Sequence, residues 1–217
     1  MRRKRSFALI LAGILLLLGA AGLNAYNVLD AKRAGDVAAE DLKEVVSVIE
    51  EAQKESVTYV AAGLEAPQTD AAGNIISLNG LSGKELRTVQ AKGNAYVGVV
   101  EIPSLSVSLP VLAEWSYSNL KISPCRYAGS PYNGDLVVCA HNYRSHFNGL
   151  RWVDMGADVY FTTMDGETFH YVIVSRETLD PNETERLITT NGEWQLTLFT
   201  CFVGGATRCV IRCELAE

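Results

Sequence analysis

A chain of 217 residues, 48% of them hydrophobic, suits one folded domain with appendages. Its formal net charge is −6, and the remainder is more acidic still once the basic cluster Arg2, Arg3, Lys4 and Arg5 is set aside. With no other basic patch, the composition excludes the nucleic-acid binders, which grip phosphates through Lys and Arg.

Residues 6–23 are almost wholly apolar, and no charge follows until Asp30, so the run is long enough to cross a bilayer core. The basic cluster before it keeps residues 1–5 in the cytoplasm. This predicts a single-pass type II anchor over residues 6–23, with everything beyond it outside the cell membrane. A cleaved signal peptide is the competing reading, with Gly19, Ala20 and Ala21 as small residues for the peptidase, but the apolar run exceeds the usual length of such a segment.

Between Asp30 and Tyr59, Leu42, Val45, Val46, Ile49 and Ala52 recur at helical spacing, with Glu and Lys on the other face. An amphipathic helix is predicted, and docking on the domain, pairing with a second copy and standing off the membrane all fit the periodicity. Residues 63–93 turn to Gly, Pro, Asn, Asp and Ser with isolated apolar residues, the composition of a linker or loosely held arm. Residues 24–92 are therefore read as an extracellular helical stalk and linker, and residues 93–217 as the folded domain.

Within that domain, strands are predicted at residues 96–102, 107–112, 136–140, 159–163, 168–174, 196–200 and 209–215, with a hairpin turn at Asp165-Gly166. Short helices fit residues 117–122, 146–153 and 182–188. So many short strands in so small a domain predict a mainly β fold, a barrel or a sandwich.

The chemistry concentrates at the ends of two of these strands. The run Leu196-Thr-Leu-Phe-Thr-Cys201 reaches a Gly204-Gly205 turn and returns at Arg208, so an antiparallel hairpin sets Cys201 opposite Arg208. A thiol is nucleophilic as thiolate, and a neighbouring cation favours that form. Arg212 shares the parity of Arg208 but lies roughly 13 Å further along the strand, which makes Arg208 the better candidate. The chain has 3 histidines, His141, His146 and His170. His141 ends the apolar strand Asp135-Leu-Val-Val-Cys-Ala and is the candidate base, His146 in the following loop is the reserve base, and His170 alternates within a strand as a structural residue. The remaining cysteines, Cys125, Cys139, Cys209 and Cys213, read as small core hydrophobes. A Cys125–Cys139 disulfide is possible outside the cell, whereas Cys209 and Cys213 lie too far apart on one strand to bridge. No zinc or calcium ligand spacing stands out.

Thr197-Leu198-Phe199-Thr200-Cys201, followed by Arg208, resembles the T-L-x-T-C signature of sortases. Tyr96-Val-Gly-Val-Val-Glu-Ile-Pro-Ser-Leu-Ser-Val-Ser-Leu-Pro-Val111 is similar to their opening strands, and His141 with Phe147 and Leu150 is similar to their histidine segment. Ala140 departs from the glycine that commonly precedes that histidine. The resemblance implies an eight-stranded sortase-type β-barrel and a membrane-anchored cysteine transpeptidase of Gram-positive bacteria that cleaves L-P-x-T-G-like carboxyl-terminal sorting signals of secreted proteins. By that resemblance Cys201 forms a thioester with the substrate, His141 exchanges protons with the departing and incoming amines, Arg208 steadies substrate and oxyanion, and the backbone near Thr200 assists. The acceptor amine belongs to a cell-wall precursor or to another protein's lysine, as in pilins. No cofactor is implied, and calcium modulation is left open. The short 202–207 loop, with no second apolar span and no Asp-Pro-aromatic lid motif, places the sequence nearest the class D side of the family. Two other readings stand beside transfer: a cysteine endopeptidase, in which water resolves the thioester, and a non-catalytic membrane-tethered binding module.

Overall fold

β-branched and aromatic runs separated by turn residues pair here into one sheet that closes on itself. The computed structural model describes residues 2–60, 68–188, 192–202 and 204–216. The first residues of the expected linker, 63–67, lie outside them, as does Val203 in the turn after Cys201. The strands are β1 (Val89–Ala91), β2 (Asn94–Ile102), β3 (Val107–Leu112), β4 (Cys125–Ala128), β5 (Leu136–Ala140), β6 (Asp158–Thr163), β7 (Thr168–Leu179), β8 (Leu196–Cys201) and β9 (Arg208–Leu215). Their order is β1-β2-β3-β4-β5-β8-β9-β7-β6, and β6 pairs back onto β2. Strands β2 to β9 thus form a closed eight-stranded barrel, and β1 extends the start of β2 as a short hairpin partner.

Alternation divides each strand between two apolar layers. Val100, Ile102, Val138, Phe161, Tyr171, Leu198 and Ile211 fill the barrel interior. Val99, Val137, Cys139, Phe199 and Val210 point outward into a second cluster, which also takes in Val45 and Ile49. Those two residues come from α1 (Arg2–Val60), an unbroken helix that joins the expected anchor to the expected stalk. Its apolar side chains from Leu9 to Leu29 are exposed, and it is long and apolar enough to cross a membrane.

The stalk half of α1 docks on the barrel. The buried stripe is Ala34, Ala38, Asp41, Val45 and Ile49, spaced as one helix face. Burying Val45 and Ile49 contributes about 1.5–3 kcal/mol each. Asp41 is buried because it accepts a 2.6 Å hydrogen bond from the Tyr96 hydroxyl, and Lys92 pairs with Glu40 at 2.9 Å. The stripe reaches further toward the amino terminus than the large apolar residues suggest, because alanines make the contact there. Gln53 Nε2 donates to the Gly166 carbonyl in the β6–β7 turn at 3.0 Å, while Asp30 and Ala31 contact Tyr143 and Ser145 just after β5. About 35 Å of helix separates these contacts, so α1 runs along the barrel from the end where β5 and β8 finish to the opposite end.

Three features were not visible in the sequence pattern. β4 is four residues, Cys-Arg-Tyr-Ala, too short to show alternation. β7 continues to Leu179 through exposed Val174, Ser175 and Arg176, because pairing with β9 carries it past the end of its apolar pattern and across a bulge between Ile173 and Ser175. The arm before β1 inserts Ile75 and Leu81 into the barrel core, with the Ile75 amide bonded to the Thr168 carbonyl at 2.6 Å. The expected short helices appear as 3-10 turns at Asn119–Lys121 and Phe147–Arg151 and as α2 (Glu185–Ile188).

Candidate active site

Three neighbouring strands bring His141, Cys201 and Arg208 to one end of the barrel. β5 and β8 are parallel, with Ala140 opposite Thr200, so the next residues, His141 and Cys201, leave the sheet side by side. β8 and β9 are antiparallel, with Cys201 opposite Arg208. Adjacent strands lie about 4.8 Å apart, so the three residues form a row with the thiol in the middle. Gly204 and Gly205 both have positive φ, 84° and 71°, which is the backbone a side-chain-bearing residue resists and which lets β9 return directly. The Phe202 amide closes the turn on the Thr207 carbonyl at 2.8 Å.

Thr200 has its side chain turned into the barrel, where the hydroxyl donates to the Ala140 carbonyl at 2.8 Å. It ties β8 to β5 immediately beneath the His141–Cys201 pair, so any contact of Thr200 with a substrate is left to its backbone. Arg151 Nη2 donates to the Cys201 carbonyl at 3.3 Å, and its guanidinium lies 4.8 Å from the Phe202 ring. Cys201 is exposed, whereas the other four cysteines are buried, and all five are free. Cys125 and Cys139 face each other across β4 and β5 as unbridged thiols. Burial pushes the Cys125 thiol up to about 12 and raises those of Cys139, Cys209 and Cys213 as well.

Arg208 carries a free charge. Among the described residues its side chain makes no hydrogen bond or ion pair, its Nη1 is buried without a partner, and its guanidinium lies 5.8 Å from the Phe199 ring. Phe199 shares the outer face with Cys201 and begins an aromatic ledge. It meets Tyr127 edge-on at 5.2 Å, Tyr127 stacks on Trp115 at 5.6 Å, and Trp115 meets Tyr117, which is 78% exposed. No spacing in the sequence joins these four aromatics, because they come from separate strands and a loop.

His141 is half-buried, and burial lowers its pKa, with Lys121 acting in the same direction and the Asp30 carboxylate opposing both. His146 lies next to it but is wholly buried, with neither ring nitrogen partnered and its pKa lowered to about 4, mainly by burial. A base so enclosed has no path to a substrate in this conformation, which leaves His141 as the accessible imidazole of the loop. His170, expected to be structural, stacks on Tyr160 and bonds Asp158 at 2.8 Å. Among the described residues no three His, Cys, Asp or Glu side chains converge to hold a metal ion.

The barrel end thus sets an exposed thiol between an imidazole and a guanidinium, an arrangement suited to nucleophilic acyl transfer. A sequence profile of the sortase domain matches residues 100–216, and the chain belongs to the sortase family. Its fold is similar to the sortase D5 transpeptidase of Clostridium perfringens, at 15% identity over 84% of this chain and 99% of that one, with a TM-score of 0.57. It is also similar to sortase C of Streptococcus pneumoniae, at 20% identity over 84% and 97% of the two chains and a TM-score of 0.54. Sortase C-3 of the same organism gives 19% identity, 87% and 91% coverage and a TM-score of 0.52. No curated protein matches.

Proposed function

We propose that this sortase is a membrane-anchored cysteine transpeptidase acting on L-P-x-T-G-like sorting signals, with Cys201 as nucleophile, His141 as acid and base, and Arg208 as the cation for the developing oxyanion. The observation that carries the reading is the shared register of β5, β8 and β9, which sets these three residues side by side at one open end. The Cys201 thiolate attacks the carbonyl of the scissile peptide bond, and the electron pair moves onto oxygen beside Arg208. Collapse breaks the C–N bond as protonated His141 donates its proton to the departing amine, leaving an acyl thioester on Cys201. An incoming amine gives a proton to His141, attacks the thioester and releases the thiolate, so one amide bond is exchanged for another. The unpartnered Arg208 guanidinium supports its role, since a charge consumed by a structural ion pair would be unavailable to substrate. The chemistry uses no cofactor.

The path of α1 supports the location. The exposed apolar half precedes the docked half, and the docked half meets the barrel first at the His141 loop. With residues 6–23 in the bilayer and the domain outside, the catalytic end faces the membrane, where secreted proteins emerge and lipid-carried or protein-borne amines are at hand. The six-residue β8–β9 connection, Phe202 to Thr207, disfavours the haem-associated class with its long insertion there, in keeping with the class D side of the family.

The test is intact-mass analysis of the detergent-solubilised full chain with a panel of sorting peptides, with and without amines. A thioester adduct on Cys201 that turns into amide when amine is added is the expected result, and Cys201→Ala should form none. Release of free acid only, whatever the amine, would instead mark an endopeptidase. No adduct with any peptide would leave the binding-module reading.

A further inference from the structure

We propose that Asp30 and Tyr143 are positioning residues for His141, so that the first extracellular turns of α1 are part of the catalytic apparatus as well as a tether. The inference rests on the reading of His141 as the acid and base of transfer.

His141 has no anchor of its own. Among the described residues neither of its ring nitrogens is hydrogen-bonded, and an imidazole that must turn between a leaving and an entering amine needs a fixed orientation. Its nearest ring neighbour is Tyr143, 4.8 Å away and tilted by 34°. Tyr143 also meets His146, at 5.4 Å, so one phenol ring is in contact with both imidazoles. The Tyr143 hydroxyl donates to Asp30 Oδ2 at 2.6 Å, and burial together with this bond raises its pKa, which keeps it a neutral donor. The carboxylate that orients histidine directly in a catalytic triad is replaced here by one acting through a tyrosine and supplied by the anchor helix.

The contact is built for close approach. Ser145 Oγ donates to the Ala31 carbonyl at 3.3 Å, and a Cβ on Gly35 would lie 2.8 Å from the Ser145 Cβ, so only glycine lets the helix sit this near the loop. Between α1 and the loop a groove of 690 Å³ remains, bounded by Asn27, Asp30, His141, Tyr143, Asn148 and Gly204. His141 thus lines the groove at the end of β5, the strand that runs beside β8 and its Cys201.

Asp30 also acts through its charge. The charged and titratable groups around His141 are Asp30 and Lys32 from α1, Lys121 from the 3-10 turn Asn119–Lys121, Tyr143, Arg144 and His146 from its own loop, and Cys201 on the neighbouring β8, with Arg208 one strand further on β9. Asp30 favours the imidazolium, while burial and Lys121 disfavour it. Asp30→Asn removes the charge at constant shape and should lower the pH at which His141 takes up its proton. Asp30→Glu keeps the charge and should hold that pH near the wild-type value. Tyr143→Phe keeps the ring and removes the tie to the helix.

The experiment is a histidine titration by NMR on the full chain in detergent, with ¹³C-labelled histidine and the His141 resonance assigned by His141→Gln. Asp30→Asn is expected to move the His141 midpoint down by about 0.5 to 1 pH unit. In peptide turnover the limb of the pH–rate profile that follows His141 should move the same way, and kcat in Asp30→Asn and Tyr143→Phe should fall by roughly tenfold at unchanged peptide KM. A midpoint and a pH limb that stay in place would overturn the proposal, even if the variants lost thermal stability, because a purely structural contact predicts that outcome. Absence of any thioester in the wild-type protein would sink the transpeptidase reading instead, and the titration would still judge the positioning.

Discussion

Arg208 and Arg212 lie on the same strand and the same face of it, four positions apart, and they live in opposite electrostatic worlds. Arg212 is 1% exposed and fully engaged. Its Nε and Nη2 donate to Glu177 Oε1 at 2.9 and 2.7 Å, its Nη1 donates to Thr197 Oγ1 at 2.9 Å, the Leu187 and Arg186 carbonyls take further bonds, and its guanidinium covers the Trp194 ring at 4.5 Å. Arg208, beside the exposed thiol, has none of these partners among the described residues. A buried charge must be paired to be tolerated, so Arg212 is committed to the fold, while the strand end leaves Arg208 free to meet a substrate. The cysteines divide the same way. Cys139 and Cys201 sit on adjacent strands, two positions apart in register, and the first is sealed under the outer apolar layer while the second lies beyond its edge.

The largest expected effect breaks that contrast on the Arg208 side. Arg208→Ala should slow thioester formation by about 10²–10³-fold, read by quenched-flow mass analysis, with a melting temperature within about 2 °C of wild type because no hydrogen bond or ion pair is lost. Arg212→Ala should do the reverse, costing about 2–4 kcal/mol of stability as Thr197 and two carbonyls lose their donor. Circular dichroism melts of the solubilised chain would show it, and the rate per folded molecule should change little. A loss of turnover in Arg212→Ala that exceeds its unfolded fraction would erase the distinction between the two arginines. The smallest effect concerns the thiols. Iodoacetamide near pH 7 should label Cys201 alone in the native protein, because the raised thiol pKa values and burial of Cys125, Cys139, Cys209 and Cys213 withhold thiolate there. Peptide mapping that finds early label on Cys139 would show that the outer layer opens.

Much of the row was legible before any fold was known, for specific reasons. Alternation over residues 196–200 and 209–215, with two glycines between, determines a hairpin register, and register alone sets Cys201 against Arg208. Scarcity of histidine narrowed the base to three residues, and the structure then separates His141 from His146 by access, since His146 is wholly buried. The aromatic ledge of Phe199, Tyr127, Trp115 and Tyr117 left no trace in spacing, because β8, β4 and the loop after β3 bring these residues from separate stretches of chain. Docking of α1 was one of three fates its apolar stripe allowed, but its reach toward the amino terminus was hidden, since the contacts there use Ala34, Gly35 and Ala38, which carry little hydrophobic signal.

Local order along the chain thus determined by itself the apolar amino-terminal run, the barrel strands other than β4 and the pairing of Cys201 with Arg208, because each follows from periodicity or from a tight turn between neighbours. The tertiary structure alone decided that β5 runs parallel to β8 with His141 beside Cys201, that Arg208 is left unpaired while Arg212 is consumed, and that Asp30 reaches Tyr143 across 113 residues of sequence. Those relations depend on which distant surfaces are buried together, and burial is a property of the closed barrel and the helix laid against it rather than of any one segment.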